Sequence, residues 1–168
     1  MFRLLVVDDN PTIVSLLREA LKDLKQRHSI YSVEDGITAL DFLSRRALYA
    51  HAPRPDLVLL SMNLQHVNGL DILRRIKADP ELRNIPVIMM SGAINTSDVR
   101  KAYESQANCY VQRPSDFRRT YLLVQAIKAL WIDFAIIPQA SGHSRLKPVS
   151  QEPDSEVAAP PAVRVAGI

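Results

Sequence analysis

Apolar runs of strand length alternate with amphipathic stretches along the first 137 residues of the chain. Three of the runs are almost continuously aliphatic, which is typical of strands that are buried on both faces of a sheet. Such an alternation predicts a parallel sheet covered by helices on both faces, an α/β fold. The predicted strands are 2–7, 29–33, 57–60, 87–90 and 109–111, and the predicted helices are 12–25, 37–50, 70–78, 97–104 and 116–134.

The composition changes after residue 137, which separates one predicted domain over 1–137 from a tail over 138–168. The tail is rich in Pro, Ala, Ser and Gly and has no periodic apolar pattern, so we expect it to be flexible. It is also too short and too weakly patterned for a helix-turn-helix domain. We therefore expect no DNA-binding domain.

The charge balance is close to neutral, with 21 Lys and Arg against 18 Asp and Glu and no basic block. This asymmetry is too small to indicate a nucleic-acid partner. The single cysteine, Cys109, cannot form an intramolecular disulfide, and no signal peptide or membrane span is visible. These features predict a cytoplasmic protein without a membrane contact.

Short segments that contain polar residues follow four of the five predicted strands. Ligands of open α/β sheets bind outside the carboxyl ends of the strands, so these residues are candidates for a functional site. They are Asp8 and Asp9 after the first strand, Ser61, Met62 and Asn63 after the third, Ser91 and Gly92 after the fourth, and Arg113 and Pro114 after the fifth.

This set of spaced residues resembles the receiver domain of response regulators, the CheY-like family, over residues 1 to about 134. The resemblance implies a flavodoxin-like, doubly wound sheet of five parallel strands in the order 2-1-3-4-5. It also implies an acidic pair that holds Mg²⁺, an aspartate that accepts a phosphoryl group, and a hydroxyl and a lysine that report it. By position, Asp8 and Asp9 match the acidic pair, Asn63 the residue whose carbonyl binds the metal, Gly69 the loop glycine, Ser91 the hydroxyl, Tyr110 the switch aromatic and Pro114 the cis-proline.

Three positions depart from the family pattern. Ser61 stands for the phosphoacceptor aspartate, Arg113 for the lysine and Gln65 for a loop proline. Residues 49–57 also resemble the extended helix-two junction of phytochrome-associated response regulators. The resemblance therefore narrows to that group, with a degenerate phosphoacceptor position.

The serine changes the expected chemistry, because phosphoryl transfer to a receiver needs an ionised oxygen in line with the donor phosphorus. A serine hydroxyl stays protonated far above pH 7, and no histidine occupies the matched positions to act as its base. Two carboxylates and Arg113 leave the pocket less negative than the usual site, so Asp8, Asp9 and the Asn63 carbonyl are expected to hold Mg²⁺ weakly and no cofactor is required. Arg113 is a good candidate to bridge to one of the two aspartates.

These features predict a pseudo-receiver that acts by protein–protein contact and is not an enzyme. Its expected partner is a sensor histidine kinase or another signalling protein, and the wide apolar stripe of the last helix favours a homodimer through that helix. The alternative is a working phosphorelay receiver that is phosphorylated at Ser61 or elsewhere. Asp56 is a poor acceptor because it begins the third strand, and a flavin site lacks support because the loop after the first strand, Asp-Asp-Asn-Pro, would repel a phosphate.

Overall fold

The structure is a computed structural model and describes residues 1–22 and 27–138. The strands are β1 (Phe2–Val7), β2 (His28–Val33), β3 (Leu57–Ser61), β4 (Val87–Ser91) and β5 (Cys109–Gln112). The α-helices are α1 (Pro11–Leu21), α2 (Gly36–Leu43), α3 (Gly69–Ala78), α4 (Thr96–Glu104) and α5 (Phe117–Ile127). A 3₁₀ turn over Ala47–Tyr49 follows α2, and a π-helical segment over Lys128–Phe134 continues α5.

All five strands run parallel in one sheet, in the order β2-β1-β3-β4-β5. This is the predicted order. Every residue of the two strands β3 and β4 is buried, because helices cover both faces of the sheet at its centre. Each of these strands ends in a buried serine, Ser61 and Ser91. The fold therefore places two polar side chains where an apolar strand meets the carboxyl edge of the sheet.

Alternate residues of the strands feed two separate apolar layers. One layer joins residues such as Leu5, Val58 and Met89 to α2 and α3. The other layer joins residues such as Leu4, Leu59 and Met90 to α1 and α5. Because neighbouring strand residues point to opposite faces, a continuous aliphatic run is what this arrangement requires.

Each of the five α-helices begins after an Asn or Asp whose side chain accepts a hydrogen bond from an amide of the first turn. Such caps satisfy amides that the helix itself leaves free. Since every helix follows a strand in chain order, these capped ends lie toward the carboxyl edge of the sheet. The caps are Asn10, Asp35, Asn68, Asn95 and Asp116.

Two predicted helices differ from the structure. The second was expected to run to Ala50 but ends at Leu43, because Arg45 and Ala47 take left-handed backbone angles (φ 54° and 50°) that turn the chain out of the helix. The fifth was expected as one helix over 116–134 but changes to π-helical geometry at Lys128. The predicted end of the first helix, at 23–25, and the tail from 139 onward lie outside the described residues.

None of the helices within residues 1–22 and 27–138 is both long and apolar enough to cross a bilayer.

Candidate functional site

Ser61 is the last residue of β3, and its hydroxyl is already engaged within the protein. Its Oγ donates to the backbone carbonyl of Asn63 at 3.0 Å. The same oxygen accepts a hydrogen bond from Nη2 of Arg113. A peptide carbonyl is not a base that can remove the hydroxyl proton. The contacts of Ser61 therefore orient its hydroxyl without activating it as a nucleophile.

Ser91, at the end of β4, has the same geometry as Ser61. Its Oγ donates to the backbone carbonyl of Ala93 at 2.8 Å, again two residues further along the chain. Both serines are almost completely shielded from solvent, at 0% and 3% exposure. A buried hydroxyl needs a partner, and here each one satisfies a carbonyl of its own turn. The two adjacent central strands thus end in equivalent serine turns.

Arg113 connects the fifth strand to this pocket. Its backbone N–H donates to the carbonyl of Ser91 at 2.8 Å. Its Nη2 lies 3.1 Å from Oδ2 of Asp8, and the two side chains are 18% and 0% exposed. The guanidinium therefore lies between Asp8 and Ser61 and forms a largely buried ion pair. Asp9 forms no ion pair within the described part of the chain.

The carboxyl group of Asp8 is balanced between opposing effects. Burial raises its pKa above the ordinary value, and the neighbouring charge of Asp9 acts in the same direction. A hydrogen bond from the Asn10 amide to Oδ1, at 2.9 Å, and the charge of Arg113 lower the pKa again but only partly offset burial. Oδ2 of Asp8 and Nε of Arg113 are buried without an aligned hydrogen bond, so the Oδ2 contact is an ion pair by distance only.

The predicted metal ligands lie at the same edge, but two of their atoms already have partners. Oδ2 of Asp8 faces Arg113, and the carbonyl of Asn63 accepts from Ser61. Asp9 lines a neighbouring cleft of about 340 Å³ together with Glu34. Within residues 1–22 and 27–138, no group of three or more His, Cys, Asp and Glu side chains is arranged to hold a metal ion. The ligand types fit Mg²⁺, but an ion there competes with a fixed cation.

Pro114 departs from the expectation of a cis-proline. The described residues contain no cis peptide bond, so the bond from Arg113 to Pro114 is trans. The trans form is the default for X–Pro bonds by about 0.5–1 kcal/mol. In this form both the backbone N–H and the side chain of Arg113 reach their partners in the pocket. Local contacts therefore give no reason for the rarer isomer.

Tyr110, the matched switch aromatic, packs against the apolar layer of α2 and α3. Its hydroxyl is buried and has no hydrogen-bond partner. Its backbone N–H donates to the hydroxyl of Tyr103 at 3.3 Å. The ring of Tyr110 therefore packs inward from β5, the strand that precedes Arg113.

Gly69 packs directly against the backbone of Ser61. A Cβ at this position would lie 2.0 Å from the carbonyl oxygen of Ser61. The Gly69 amide also donates to the carbonyl of Met62 at 2.8 Å. Sequence reasoning identified this glycine only through the family resemblance. It did not predict that the backbone N–H of Asn10 donates to Asp8. An Asn directly before a proline signals a different role of Asn10, the side-chain cap of α1.

The family comparison agrees with this arrangement at the carboxyl edge. The family model of the response regulator receiver domain matches residues 4–128. The chain belongs to this family. Response regulators of two-component signalling are therefore its relatives in function as well as in fold.

Two curated relatives show which response regulators this chain is similar to. Response regulator Rcp1 of Synechocystis is 33% identical over 137 residues, which cover 82% of this chain and 93% of that protein. Chemotaxis protein CheY-3 of Vibrio cholerae is 29% identical over 112 residues, or 67% of this chain and 80% of that protein. The chain is thus similar both to CheY proteins and, over more of its length, to Rcp1.

Solved structures give the same result. The Mn²⁺-bound form of Rcp1 aligns with a TM-score of 0.77 and 32% identity, covering 83% of this chain and 100% of that one. The phosphorylated cyanobacterial phytochrome response regulator RcpA aligns with a TM-score of 0.79 and 34% identity, covering 82% and 99%. The chain therefore resembles phytochrome-associated response regulators in sequence and in fold.

Proposed function

We propose that this protein is an atypical single-domain response regulator that acts through protein–protein contacts and does not depend on aspartyl phosphorylation. The observation that carries the proposal is the position of Arg113, which contacts Ser61 and pairs with Asp8 in the place where phosphoryl chemistry occurs in the family. The pocket has no carboxylate at the end of β3. Arg113 pairs with Asp8 inside the protein, and the carboxylate of Asp9 keeps the pocket at one net negative charge.

The conformation of the pocket is therefore set by the protein's own side chains. Arg113 joins the end of β5 to Asp8 after β1 and to Ser61 at the end of β3. In an ordinary receiver, charge added by phosphorylation changes such contacts. Here a permanently charged guanidinium makes them without phosphate. One conformation of the carboxyl edge is then populated throughout, and a partner recognises that surface directly.

Mg²⁺ is proposed to bind weakly, through Asp8, Asp9 and the Asn63 carbonyl. When it is bound in a receiver, the ion supplies positive charge that neutralises phosphoryl oxygens. In this chain Arg113 already pairs with Asp8, and the Asn63 carbonyl already accepts a hydrogen bond from Ser61. A Mg²⁺ titration followed by NMR is expected to give weak, non-saturating shifts near Asp8 and Asp9. A tight, saturable site would contradict this part of the proposal.

The proposed partner is a sensor histidine kinase, or another signalling protein, of a cytoplasmic two-component pathway. The similarity to the phytochrome response regulator RcpA supports a light-sensing pathway. A homodimer through the last helix is proposed on the exposure of its large apolar side chains, which include Phe117, Leu122, Leu130 and Phe134. Light scattering at micromolar concentration is expected to give the mass of a dimer, and a monomer would exclude it.

Phosphorylation is tested by incubation with acetyl phosphate and Mg²⁺, followed by intact mass measurement. We expect no gain of a phosphoryl group, because the Ser61 hydroxyl donates its proton to the peptide carbonyl of Asn63 and not to a base. Phosphorylation of the unaltered chain at Ser61 or elsewhere would overturn the proposal and favour a working phosphorelay receiver. Ser61→Asp is the matched control and is expected to regain partial uptake. If it gains none, Ser61→Asp with Arg113→Lys tests whether the guanidinium closes the site.

A further inference from the structure

A cleft of about 340 Å³ lies at the edge of the sheet opposite Ser61, and three arginines line it. It is formed by the end of α2, the loop before β3 and the loop after α3. Arg45, Arg46 and Arg54 contribute positive charge, and Asp79 and Glu81 contribute negative charge. The lining therefore carries one net positive charge.

The positive charges of this cleft are not matched by the carboxylates beside them. No ion pair within the described residues includes any of the three arginines. Arg54 donates from Nη1 to the backbone carbonyl of Glu81, and Asp79 accepts from the Glu81 amide at 2.8 Å. The side chains of Arg45 and Arg46 are exposed and form no hydrogen bond in that part of the chain. The cleft thus presents guanidinium groups that are available to an anionic ligand.

The backbone that carries two of these arginines is held in an uncommon conformation. Arg45 has φ 54° and directly follows Ser44, the residue that caps α2. Glycine is the usual residue at this position because it lacks the Cβ that makes left-handed angles unfavourable. Ala47 has a second left-handed angle, φ 50°, so Arg46 is fixed between two such turns. An arginine at a position that suits glycine is a candidate for a role outside the stability of the fold.

The chain itself contains an acidic segment, whose charge is opposite in sign to that of the cleft. Residues 152–156 are Glu-Pro-Asp-Ser-Glu and contain all three acidic residues that follow Asp133. The three carboxylates are opposite in sign to the net positive charge that the arginines give the cleft after Asp79 and Glu81 are counted. This segment lies outside the described residues.

The connection between cleft and segment is long enough. Ile137, next to the end of the described chain at Pro138, lines another cleft at this edge of the sheet together with Asp56. Arg54 lines the arginine cleft and is two residues before Asp56, so both clefts border the loop that precedes β3. The thirteen residues 139–151 can extend to about 40 Å at roughly 3.3 Å each. Tethering on the same chain also gives the segment a high effective concentration at the cleft.

We propose that the acidic segment 152–156 binds in the arginine cleft of the same chain, as an internal ligand held by charge. The interaction is independent of the function proposed for the Ser61 pocket, which lies at the other edge. An acidic segment of a binding partner would have to displace it. Because Arg45 and Arg46 are exposed, the interaction weakens as ionic strength rises.

A spin label on the full chain tests the proposal. The label is placed at Ser155→Cys in a Cys109→Ser background, and paramagnetic broadening is measured on the ¹⁵N-labelled protein at low salt. We expect the amides of residues 45, 46, 54 and 81 to lose several-fold more intensity than those of residues 61 and 91. High salt should reverse the loss. If Cys109→Ser disturbs the fold, Cys109→Ala provides a second background.

The matched control keeps the label and removes the charges with Glu152→Gln, Asp154→Asn and Glu156→Gln. Selective broadening at the cleft should then disappear. Equal broadening with and without these changes, or broadening with no preference for the cleft, would overturn the proposal. A mixture of ¹⁵N-labelled chain without spin label and unlabelled chain with it separates the sources. Broadening as strong in this mixture as in the single chain would show that the segment binds a second copy instead.

Discussion

The two edges of the sheet use charge in opposite ways. At the carboxyl edge, Asp8 is fully shielded and Arg113 is 18% exposed, and the two are paired. At the opposite edge, Arg45 and Arg46 are exposed and form no ion pair within the described chain. A buried charge must be compensated inside the protein, whereas an exposed one is compensated by water. The first edge therefore has its conformation fixed internally, and the second keeps its charge for a ligand.

At the carboxyl edge, the contacts of a residue can differ from those that its position in the family pattern would suggest, as Ser61 shows. The family resemblance predicts that Ser61 takes the phosphoacceptor position, yet its contacts are those of Ser91: a hydroxyl that closes its own turn. What distinguishes Ser61 is the additional hydrogen bond from Arg113. The carboxyl edge is closely packed, so we expect substitutions there to lower the stability of the protein more than substitutions at the opposite edge.

The largest expected effect tests how tightly the carboxyl edge is packed. Gly69→Ala places a Cβ 2.0 Å from the carbonyl oxygen of Ser61, so the backbone must move. We expect a loss of about 3 kcal/mol in the free energy of unfolding. Gly92→Ala is the matched control, because no atom lies within 4 Å of its Cβ position, and it should stay within about 0.5 kcal/mol. Equal urea midpoints for the two variants would contradict this packing.

The next effect compares the two edges directly. Arg113→Gln leaves Asp8 buried without its cation, and we expect it to cost about 2 kcal/mol at pH 7. Arg45→Gln, at the opposite edge, should remain within about 0.5 kcal/mol. Urea unfolding of both variants measures the difference. Similar losses would show that the Arg113–Asp8 pair adds nothing beyond an exposed charge.

This cost should depend on pH in a defined direction. Burial raises the pKa of Asp8, so the unfolded chain releases this proton first as pH rises above 3.8. The contribution of Asp8 to stability therefore falls as pH rises through its folded pKa. Without Arg113 that pKa is higher still, and the fall is larger. The free energy of unfolding of Arg113→Gln should thus approach that of the unaltered chain near pH 4. A difference between the two that does not change with pH would contradict the ion pair.

Much of the fold follows from the sequence because its signals are local and repeated. The continuous aliphatic runs of β3 and β4 can only be buried between two layers, and this burial fixes them at the centre of the sheet. The strand order, in contrast, came from the family resemblance, since periodicity does not say which strands are neighbours. The edge at which Asp8, Ser61 and Arg113 meet followed from the rule that ligands of open α/β sheets bind outside the carboxyl ends of the strands.

The features that sequence did not predict depend on tertiary contacts or on backbone angles. The end of α2 at Leu43 is set by left-handed angles at Arg45 and Ala47, residue types that give no warning of them. The trans bond before Pro114 differs from the family pattern, and no residue type near it signals the isomer. The hydroxyl geometry of Ser61 requires the position of the Asn63 carbonyl, which only the folded turn provides.

A smaller loss of stability is expected when the half-buried Lys77 is replaced than when Arg113 is replaced. Lys77 donates from Nζ to the carbonyls of Ile85, at 2.8 Å, and Arg83, at 3.1 Å, and burial lowers its pKa. Lys77→Met leaves these carbonyls unsatisfied and should cost about 1 kcal/mol in urea unfolding. Lys101→Met, on the exposed face of α4, is the control and should change little. No difference between them would mean that water replaces the Lys77 contacts.

The smallest effect separates the stability of the opposite edge from its proposed use. Arg45 has φ 54°, so Arg45→Gly relieves an unfavourable backbone conformation and, after the extra entropy of glycine in the unfolded chain, should stabilise by about 0.5 kcal/mol. Arg46, with φ −102°, is the matched control, and Arg46→Gly should destabilise slightly. A higher urea midpoint for Arg45→Gly would show that this arginine is not kept for folding. A lower one would mean that the side chain stabilises the end of α2, and the contrast between the two edges would lose its strongest example.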